Sequence, residues 1–349
     1  MTNEEMREVR LSREEIYDGI VLHVTKDTVR LPDGGTSVRE VAWHRGAVCV
    51  VPLTEAGEIV ANFKIPLPVK VGLRGLRQSD AVFEHVRNLP ILASRLQDFL
   101  SEGHYEPVAV GVSVKPRDVE GSYMPCFLSG KAAASAFAAA KNLPVYEFSH
   151  QNGHLMAALY SCGRTELLES ERFLAFHVSG GTTEALLVEP RNGAFSVTLV
   201  GETDDINAGQ AIDRVGVAMG LKFPCGKEME ALAASYEGKI YRHPVCVREG
   251  RCSLSGAENI ALRIYRETND PTAVSAFVFD FLGKTLLAMG EALEETYGRI
   301  PIVFAGGVMS NRIMRARLEE RFDASFAEPE FSADNAAGIA LLCRAEVLK

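Results

Sequence analysis

The chain has 349 residues, of which 47% are hydrophobic and 24% charged, so it is long enough to bury the cores of two domains and too apolar to be disordered. Its net charge of −9 argues against a broad nucleic-acid-binding face, which requires clustered Lys and Arg. The apolar stretches are interrupted before the ~20 residues of a membrane span, and the N-terminus is too polar for a secretory signal, so we expect a cytoplasmic protein without membrane contact.

Cysteine and charge patterns add two expectations. Seven cysteines without a CxxC pair favour free thiols in a reducing compartment over disulfides or a zinc knuckle. Two stretches, Arg242 to Arg251 and Asn311 to Arg321, are basic relative to the rest. We interpret the first as a solvated strand pair and the second as a solvated helix face.

Residues 1 to about 60 predict β-hairpins, because apolar or alternating runs flank the turns "PDGG" and "EAGE". After Pro66 strands alternate with helices, which is typical of α/β proteins. The order is a helix in "SDAVFEHVRNLPILASRLQDFL" with a Pro interruption, the strand "PVAVGVSV", the helix "GKAAASAFAAAK" and the strand "PVYEF". A helix beginning at "HQNGH" comes next, followed by the strand pair "FLAFHVSG" and "EALLVEP".

The second half continues the α/β pattern. Helices are predicted in "AGQAIDRVGVAMG", "KEMEALAASY" and "PTAVSAFVFDFLGKTLLAMGEALEETYG", a buried strand in "PIVFAGG", and a last helix in "ADNAAGIALLCRAEVL".

Two histidines, His150 and His154, stand four residues apart on the helix that follows "PVYEF". Residues i and i+4 share one helix face, so both imidazoles can reach one metal ion. The spacing alone is a weak signal, and a metal site needs a third ligand and a pocket.

Three glycine-bearing turns follow apolar elements, where ligand sites are common: "FHVSGGTTE", "FPCGKEME" and "VFAGGVMSN". Such turns can present backbone N–H groups to a phosphate or an acyl oxygen. Each alone is more simply a tight turn, and together with the histidine pair they favour a binding site.

Taken in order, these motifs resemble the TsaD family, also called Gcp, over about residues 64 to 349. The resemblance implies an actin-like ATPase (ASKHA) fold of two α/β lobes, preceded here by an N-terminal antiparallel β segment. It also implies transfer of a threonylcarbamoyl group from its adenylate to an adenosine of tRNA. The lobes would comprise about residues 61–160 plus the C-terminal helix, and about residues 161–333.

The resemblance implies a metal site and a substrate site. "SHQNGH" and "SADNAAGIA" assign His150, His154 and Asp334 as ligands of one divalent metal, with Fe²⁺ favoured over Zn²⁺. His177 is a further candidate ligand, and a strand histidine satisfied by a neighbour is the equal alternative. ATP or an acyl-adenylate is the implied ligand, bound by Val178, Ser179, Gly180, Gly181, Thr182, Asp213, Gly226, Glu230 and Asn311.

Several positions depart from the family pattern. Asn152 stands in place of a glutamate and Thr182 in place of a histidine. Ile206 and Gln210 replace acids, and "KPR" at residues 115–117 replaces "GPG". These changes partly neutralise a polar site and indicate a paralog, for which tRNA and another acceptor remain alternatives.

The N-terminal part of the chain departs most from the TsaD family pattern. Family members open with a hairpin carrying Asp-Thr-Ser, whereas residues 5 to about 60 resemble the N-terminal β segment of Nudix ADP-ribose pyrophosphatases. The Nudix box is absent, so we assign no pyrophosphatase activity. A catalytically degenerate paralog, partnered by a TsaB-like protein or self-associating through this segment, is the alternative to an active transferase.

Overall fold

The computed structural model describes residues 9–18, 22–30, 36–44, 47–68, 76, 78–191, 193–328 and 335–349. The described residues fall into two compact units, the first drawn from Met1–Pro52, Val60–Val108 and Tyr123–Leu143, the second from Leu53–Ile59, Ala109–Ser122 and Pro144–Lys349. The predicted lobe boundary near residue 160 remains a prediction.

The first unit begins with an antiparallel meander. Its strands are β1(Val9–Asp18), β2(Leu22–Arg30) and β3(Thr36–His44), paired in the order β1-β2-β3. A second hairpin pairs β4(Ala47–Val50) with β5(Phe63–Pro66), so that Val48 lies opposite Ile65. The predicted N-terminal antiparallel β segment and both of its hairpins are therefore confirmed.

Two helices complete this unit, α1(Gln78–Glu102) and α2(Cys126–Lys141). Its small core contains Val48, Leu67, Ala81 and Leu92. The expected interruption of α1 by Pro90 is wrong, because the helix continues through that residue.

The second unit is built on a five-stranded sheet in the order β10-β9-β8-β13-β14. The strands are β8(Phe173–Val178), β9(Thr183–Arg191), β10(Ala194–Glu202), β13(Ile302–Ala305) and β14(Ala324–Phe326). Strands β8, β9 and β10 form an antiparallel meander, while β13 runs parallel to both β8 and β14. Successive side chains of β8 enter opposite cores, Leu174 and Phe176 on one face, Phe173 and Ala175 on the other.

One face of this sheet packs against the helices α4(Ala208–Ala218), α5(Gly226–Ala234), α6(Ser255–Thr268), α7(Pro271–Tyr297) and α8(Arg312–Glu319), together with the short hairpin β11(Val247–Arg248) and β12(Arg251–Cys252). We did not expect a membrane-length apolar helix, yet α7 is long and apolar enough to span one. It is the central core helix instead, since 83% of its most apolar window is buried.

The other face carries α3(His150–Ser161) and α9(Asn335–Val347), beside the parallel pair β6(Val110–Lys115) and β7(Val145–Ser149). Helices α3 and α9 cross where Gly153 and Gly338 meet, because a side chain on Gly338 would overlap the Gly153 carbonyl. All seven cysteines are free, as expected.

Candidate metal and nucleotide site

The histidine pair lies at the start of α3. Strand β7 ends at Ser149, whose Oγ accepts a hydrogen bond from Asn152 N at 3.2 Å and so caps the helix. His150 is therefore the first helical residue, and His154 follows one turn later on the same face. Their Nε2 atoms are 3.1 Å apart, with the rings nearly perpendicular at 82°.

This spacing fits two ligands of one cation. With metal–nitrogen bonds of about 2.0–2.1 Å, two nitrogens at that separation subtend an angle of about 100° at the metal. That angle lies between the octahedral and tetrahedral values, so both nitrogens can bind one divalent ion. Among the described residues no three His, Cys, Asp or Glu side chains gather around a common point.

The third predicted ligand, Asp334, lies outside the described residues. The next residue, Asn335, donates a hydrogen bond from Nδ2 to the carbonyl oxygen of His150. Sequence reasoning did not single out Asn335, although its place directly after Asp334 was the available signal. His177, the remaining candidate ligand, is exposed near the end of β8 and joins no metal-binding group among the described residues.

The "SGGT" loop after β8 is closed by its own hydrogen bonds. Ser179 N donates to Thr182 O at 2.7 Å, while Gly181 N and Thr182 N donate to Ser179 Oγ at 3.2 and 3.1 Å. Val178, at its start, is fully buried. The loop is thus a tight turn whose conformation is fixed by Ser179, so fewer N–H groups face outward than the glycines suggested.

Helix α4 begins against this loop. Gly209 N donates to Ser179 O at 3.1 Å, and a Cβ on Gly209 would lie only 2.7 Å from Gly180 Cα. Asn207 caps the helix, and Gln210 Oε1 accepts from Asn207 N at 2.8 Å. Gln210, where the family pattern has an acid, therefore completes a capping box as a glutamate would.

Asp213 and Gly226 meet at the start of α5. Asp213 Oδ1 accepts from Cys225 N at 2.8 Å, directly before Gly226 begins the helix. Burial raises the pKa of Asp213, and the Cys225 N–H partly offsets that shift. Asp213 thus orients the "PCGKEME" turn.

Glu230 and Asn311 meet at the start of α8. Glu230 Oε1 accepts from Arg312 N at 2.6 Å, and Asn311 Oδ1 accepts from Met314 N at 3.0 Å. Asn311 is 5% exposed, and its Nδ2 has no hydrogen-bond partner among the described residues. A buried donor in this state fits a ligand oxygen.

The turn after β13 lies against the end of β8. Gly306 has φ of 102°, and a Cβ there would lie 2.8 Å from the Val178 carbonyl carbon and 3.1 Å from His177 Cδ2. Only glycine fits this close approach. The "AGG" turn and the "SGGT" loop therefore adjoin.

Asn152 faces away from the histidines, since two residues along a helix correspond to about 200° of rotation. It is 1% exposed, and its Oδ1 has no partner among the described residues. Its side chain borders a cavity of about 310 Å³ that Lys115 and Asp118 also line.

The sheet order and its two helical layers define an α/β protein of the actin-like ATPase type. A solved structure of full-length HypF in its phosphate- and nucleotide-bound form shares this fold with a TM-score of 0.51 at 14% identity, covering 74% of this chain and 41% of that one.

Sequence comparison defines the family. The model described as tRNA N6-adenosine threonylcarbamoyltransferase (TsaD) matches residues 84–341, and the chain belongs to this family. Membership implies a metal ion and an ATP-related ligand in general terms.

Two relatives named tRNA N6-adenosine threonylcarbamoyltransferase illustrate the match. The protein of Streptococcus thermophilus (strain ATCC BAA-491 / LMD-9) is 37% identical over 238 residues, 63% of this chain and 66% of the relative. That of Kosmotoga olearia is 36% identical over 307 residues, 84% of this chain and 88% of the relative. The chain thus spans slightly under two thirds of the Streptococcus protein's length.

A second model, the nucleoside diphosphate sugar hydrolase N-terminal domain, matches residues 8–42. These residues lie within the segment, 5 to about 60, that was predicted to resemble the N-terminal β segment of Nudix ADP-ribose pyrophosphatases.

Proposed function

We propose that this protein is a metal-dependent transferase that moves a threonylcarbamoyl or related carbamoyl group from an acyl-adenylate to an adenosine of tRNA. The observation that carries the proposal is the His150–His154 pair, with Nε2 atoms 3.1 Å apart at the start of α3. The family match and the names of the relatives supply the reaction class. The same proposal places the protein in the cytoplasm.

His150, His154 and Asp334 would hold the divalent cation, with Fe²⁺ favoured over Zn²⁺. When bound, such a cation acts as a Lewis acid towards an acyl oxygen. Ser149 fixes where α3 starts, and Asn335 ties the His150 carbonyl to α9. These contacts fix the backbone of the helix start that carries the two imidazoles.

The adenylate would bind along the adjoining glycine turns. Asn311 Nδ2, buried without a partner among the described residues, would donate to a ribose or phosphate oxygen. Gly307, where an added Cβ would meet no atom within 4 Å, leaves the backbone of the "AGG" turn open to the ligand. Ser179 keeps the loop in one conformation, which lowers the entropic cost of binding.

The test combines elemental analysis with transfer from threonylcarbamoyl-adenylate to tRNA. We expect about one metal ion per chain in the wild type, and loss of both metal and turnover in His150→Ala, His154→Ala and Asp334→Ala. His104→Ala is the matched control, since this exposed histidine lies outside the site. A wild-type protein that binds no metal and transfers nothing would contradict the proposal.

A second candidate is a degenerate paralog that binds metal and nucleotide without turnover. The N-terminal part of the chain favours this candidate, because residues 8–42 match a hydrolase N-terminal domain and the TsaD match starts at residue 84. Such a protein would act with a TsaB-like partner or self-associate through the N-terminal β segment. Bound metal and nucleotide without transfer, together with a dimer by light scattering, would support it.

A further inference from the structure

Thr183 is the first residue of β9 and directly follows the "SGGT" loop. It is only 3% exposed. Both of its oxygen atoms accept hydrogen bonds, the carbonyl oxygen from Thr203 N at 3.0 Å and Oγ1 from Ala208 N at 2.9 Å. The two donors belong to the residue after β10 and to the first residue of α4, so Thr183 joins three segments.

The start of α4 is bound to the loop on both sides of its two glycines. The first N–H groups of a helix have no partner within the helix. Here Ala208 donates to Thr183 Oγ1, after the glycines, and Gly209 N donates to Ser179 O at 3.1 Å, before them. These two donors are therefore occupied by the loop itself, and they hold the loop against the helix.

Helix α4 extends this connection to other predicted substrate residues. Asp213, in the second turn of α4, accepts a hydrogen bond from Cys225 N directly before α5 begins. On α5, Glu230 accepts a hydrogen bond from Arg312 N at the start of α8. A movement of the loop relative to α4 would therefore change its distance from Asp213.

The two glycines make an external restraint on the loop important. Gly180 and Gly181 have access to more backbone conformations than other residues. Ser179 Oγ restrains the loop internally, because it accepts hydrogen bonds from Gly181 N and Thr182 N. Thr183 Oγ1 has a different effect, since it fixes the end of the loop relative to α4.

We propose that Thr183 is a positioning residue for the acyl-adenylate. Its hydroxyl group holds the "SGGT" loop at the distance from α4 at which one ligand can contact both the loop and Asp213. Thr183 itself does not touch the ligand. The inference rests on the proposed binding of an adenylate at this site, and deepens it by naming a residue that sets the affinity.

Thr183→Val removes the acceptor and keeps the shape of the side chain. Ala208 is 1% exposed, so its N–H would be left buried without a partner. This shifts the balance from the native loop position towards displaced positions by roughly 5- to 150-fold. Because only the native position binds well, the dissociation constant should rise several-fold, by at most about 150-fold. Saturating adenylate restores the native position, so KM should rise while kcat stays near the wild-type value.

The test measures binding of a stable sulfamoyl analogue of threonylcarbamoyl-adenylate to the metal-loaded full chain by calorimetry, beside thermal unfolding. Thr183→Ser keeps the acceptor and loses a buried methyl group, so it should lower Tm and retain the wild-type dissociation constant. Thr285→Val is the matched control, since Thr285 is 1% exposed and its Oγ1 donates to Phe281 O at 2.9 Å within α7. It should also retain the wild-type dissociation constant.

Each outcome bears on the inference. A lower Tm with an unchanged dissociation constant in Thr183→Val would make Thr183 merely structural and overturn the inference, while the proposed transferase would stand. Equal weakening in Thr183→Val and Thr285→Val would overturn it too, because general destabilisation would then explain both. A wild type that binds no analogue would overturn both proposals. Binding without transfer, weakened in Thr183→Val alone, would support the inference and the degenerate paralog.

If Thr183→Val does not fold, hydrogen exchange of the wild type decides. The analogue should slow exchange at the amides of Ala208 and Gly209, which belong to α4 and donate to the loop. Equal exchange rates at these amides with and without the analogue would overturn the inference.

Discussion

The contact between α3 and α9 gives the sharpest test of the structure, through Gly338→Ala. A Cβ on Gly338 would overlap the Gly153 carbonyl oxygen, and would lie 2.7 Å from the carbonyl carbon and 2.9 Å from Ala157 N. All three neighbours are backbone atoms, so no change of rotamer can relieve the overlap. The two helices would have to separate.

The magnitude follows from two opposing terms. Overpacking of this kind costs about 1–3 kcal/mol, and a clash with backbone belongs at the upper end. Alanine is more favourable than glycine in a helix interior by about 1 kcal/mol, which offsets part of this cost. The net loss is therefore about 2 kcal/mol, which lowers Tm by about 4–8 °C for a unit of this size.

The assay is thermal unfolding by circular dichroism, with metal content measured on the same samples. Gly130→Ala is the matched control, since Gly130 lies inside α2 with no atom within 4 Å of an added Cβ. We expect it to stabilise by up to about 1 kcal/mol. If the Tm of Gly338→Ala equalled or exceeded that of the wild type, as we expect for Gly130→Ala, the two helices would not touch there. The placement of α9 would then be wrong.

Three further outcomes are expected. Asp280→Asn should destabilise by about 1–3 kcal/mol in urea, because a carboxylate that is 8% exposed would no longer pair two cations; an unchanged midpoint would contradict this. Burial raises the pKa of Asp205, but hydrogen bonds led by that from Ser255 outweigh it and bring the pKa below the usual value. The stability from Asp205 is therefore complete above about pH 4 and lost at lower pH, so the Tm difference between wild type and Asp205→Asn should shrink on acidification; a growing difference would refute the assignment. Iodoacetamide should label exposed Cys246 well before Cys252, whose pKa burial raises to about 12, and mass spectrometry showing the reverse order would count against the fold.

Local signals explain why much of the fold was predictable. "SHQNGH" contains both the capping serine and the histidine pair, so the start of α3 at His150 could be read directly. Turn residues identified both N-terminal hairpins. Helix α6 was not predicted, although Ala257, Ala261 and Ile264 repeat at helical spacing and are all buried.

Long-range pairing explains much of what could not be predicted. Asn311 to Arg321 was predicted to be a solvated helix face, and the Arg317 and Arg321 side chains are 29% and 34% exposed, but their ion pairs were not predicted. They pair with Asp280 and Glu291, which are 37 and 30 residues away in sequence. The glycine turn after β8 was a local miss, because its N–H groups were expected to face a ligand and Ser179 Oγ accepts two of them.

The hydrogen bond between His150 and Asn335 joins residues 185 positions apart. At about 5–20 residues per second, a ribosome needs roughly 10–40 s to synthesise that interval. During that time the nascent helix with the two imidazoles has emerged without its packing partner. Assembly of the candidate metal site therefore waits until α9 has been translated, and termination before α9 would leave the histidine pair without this contact.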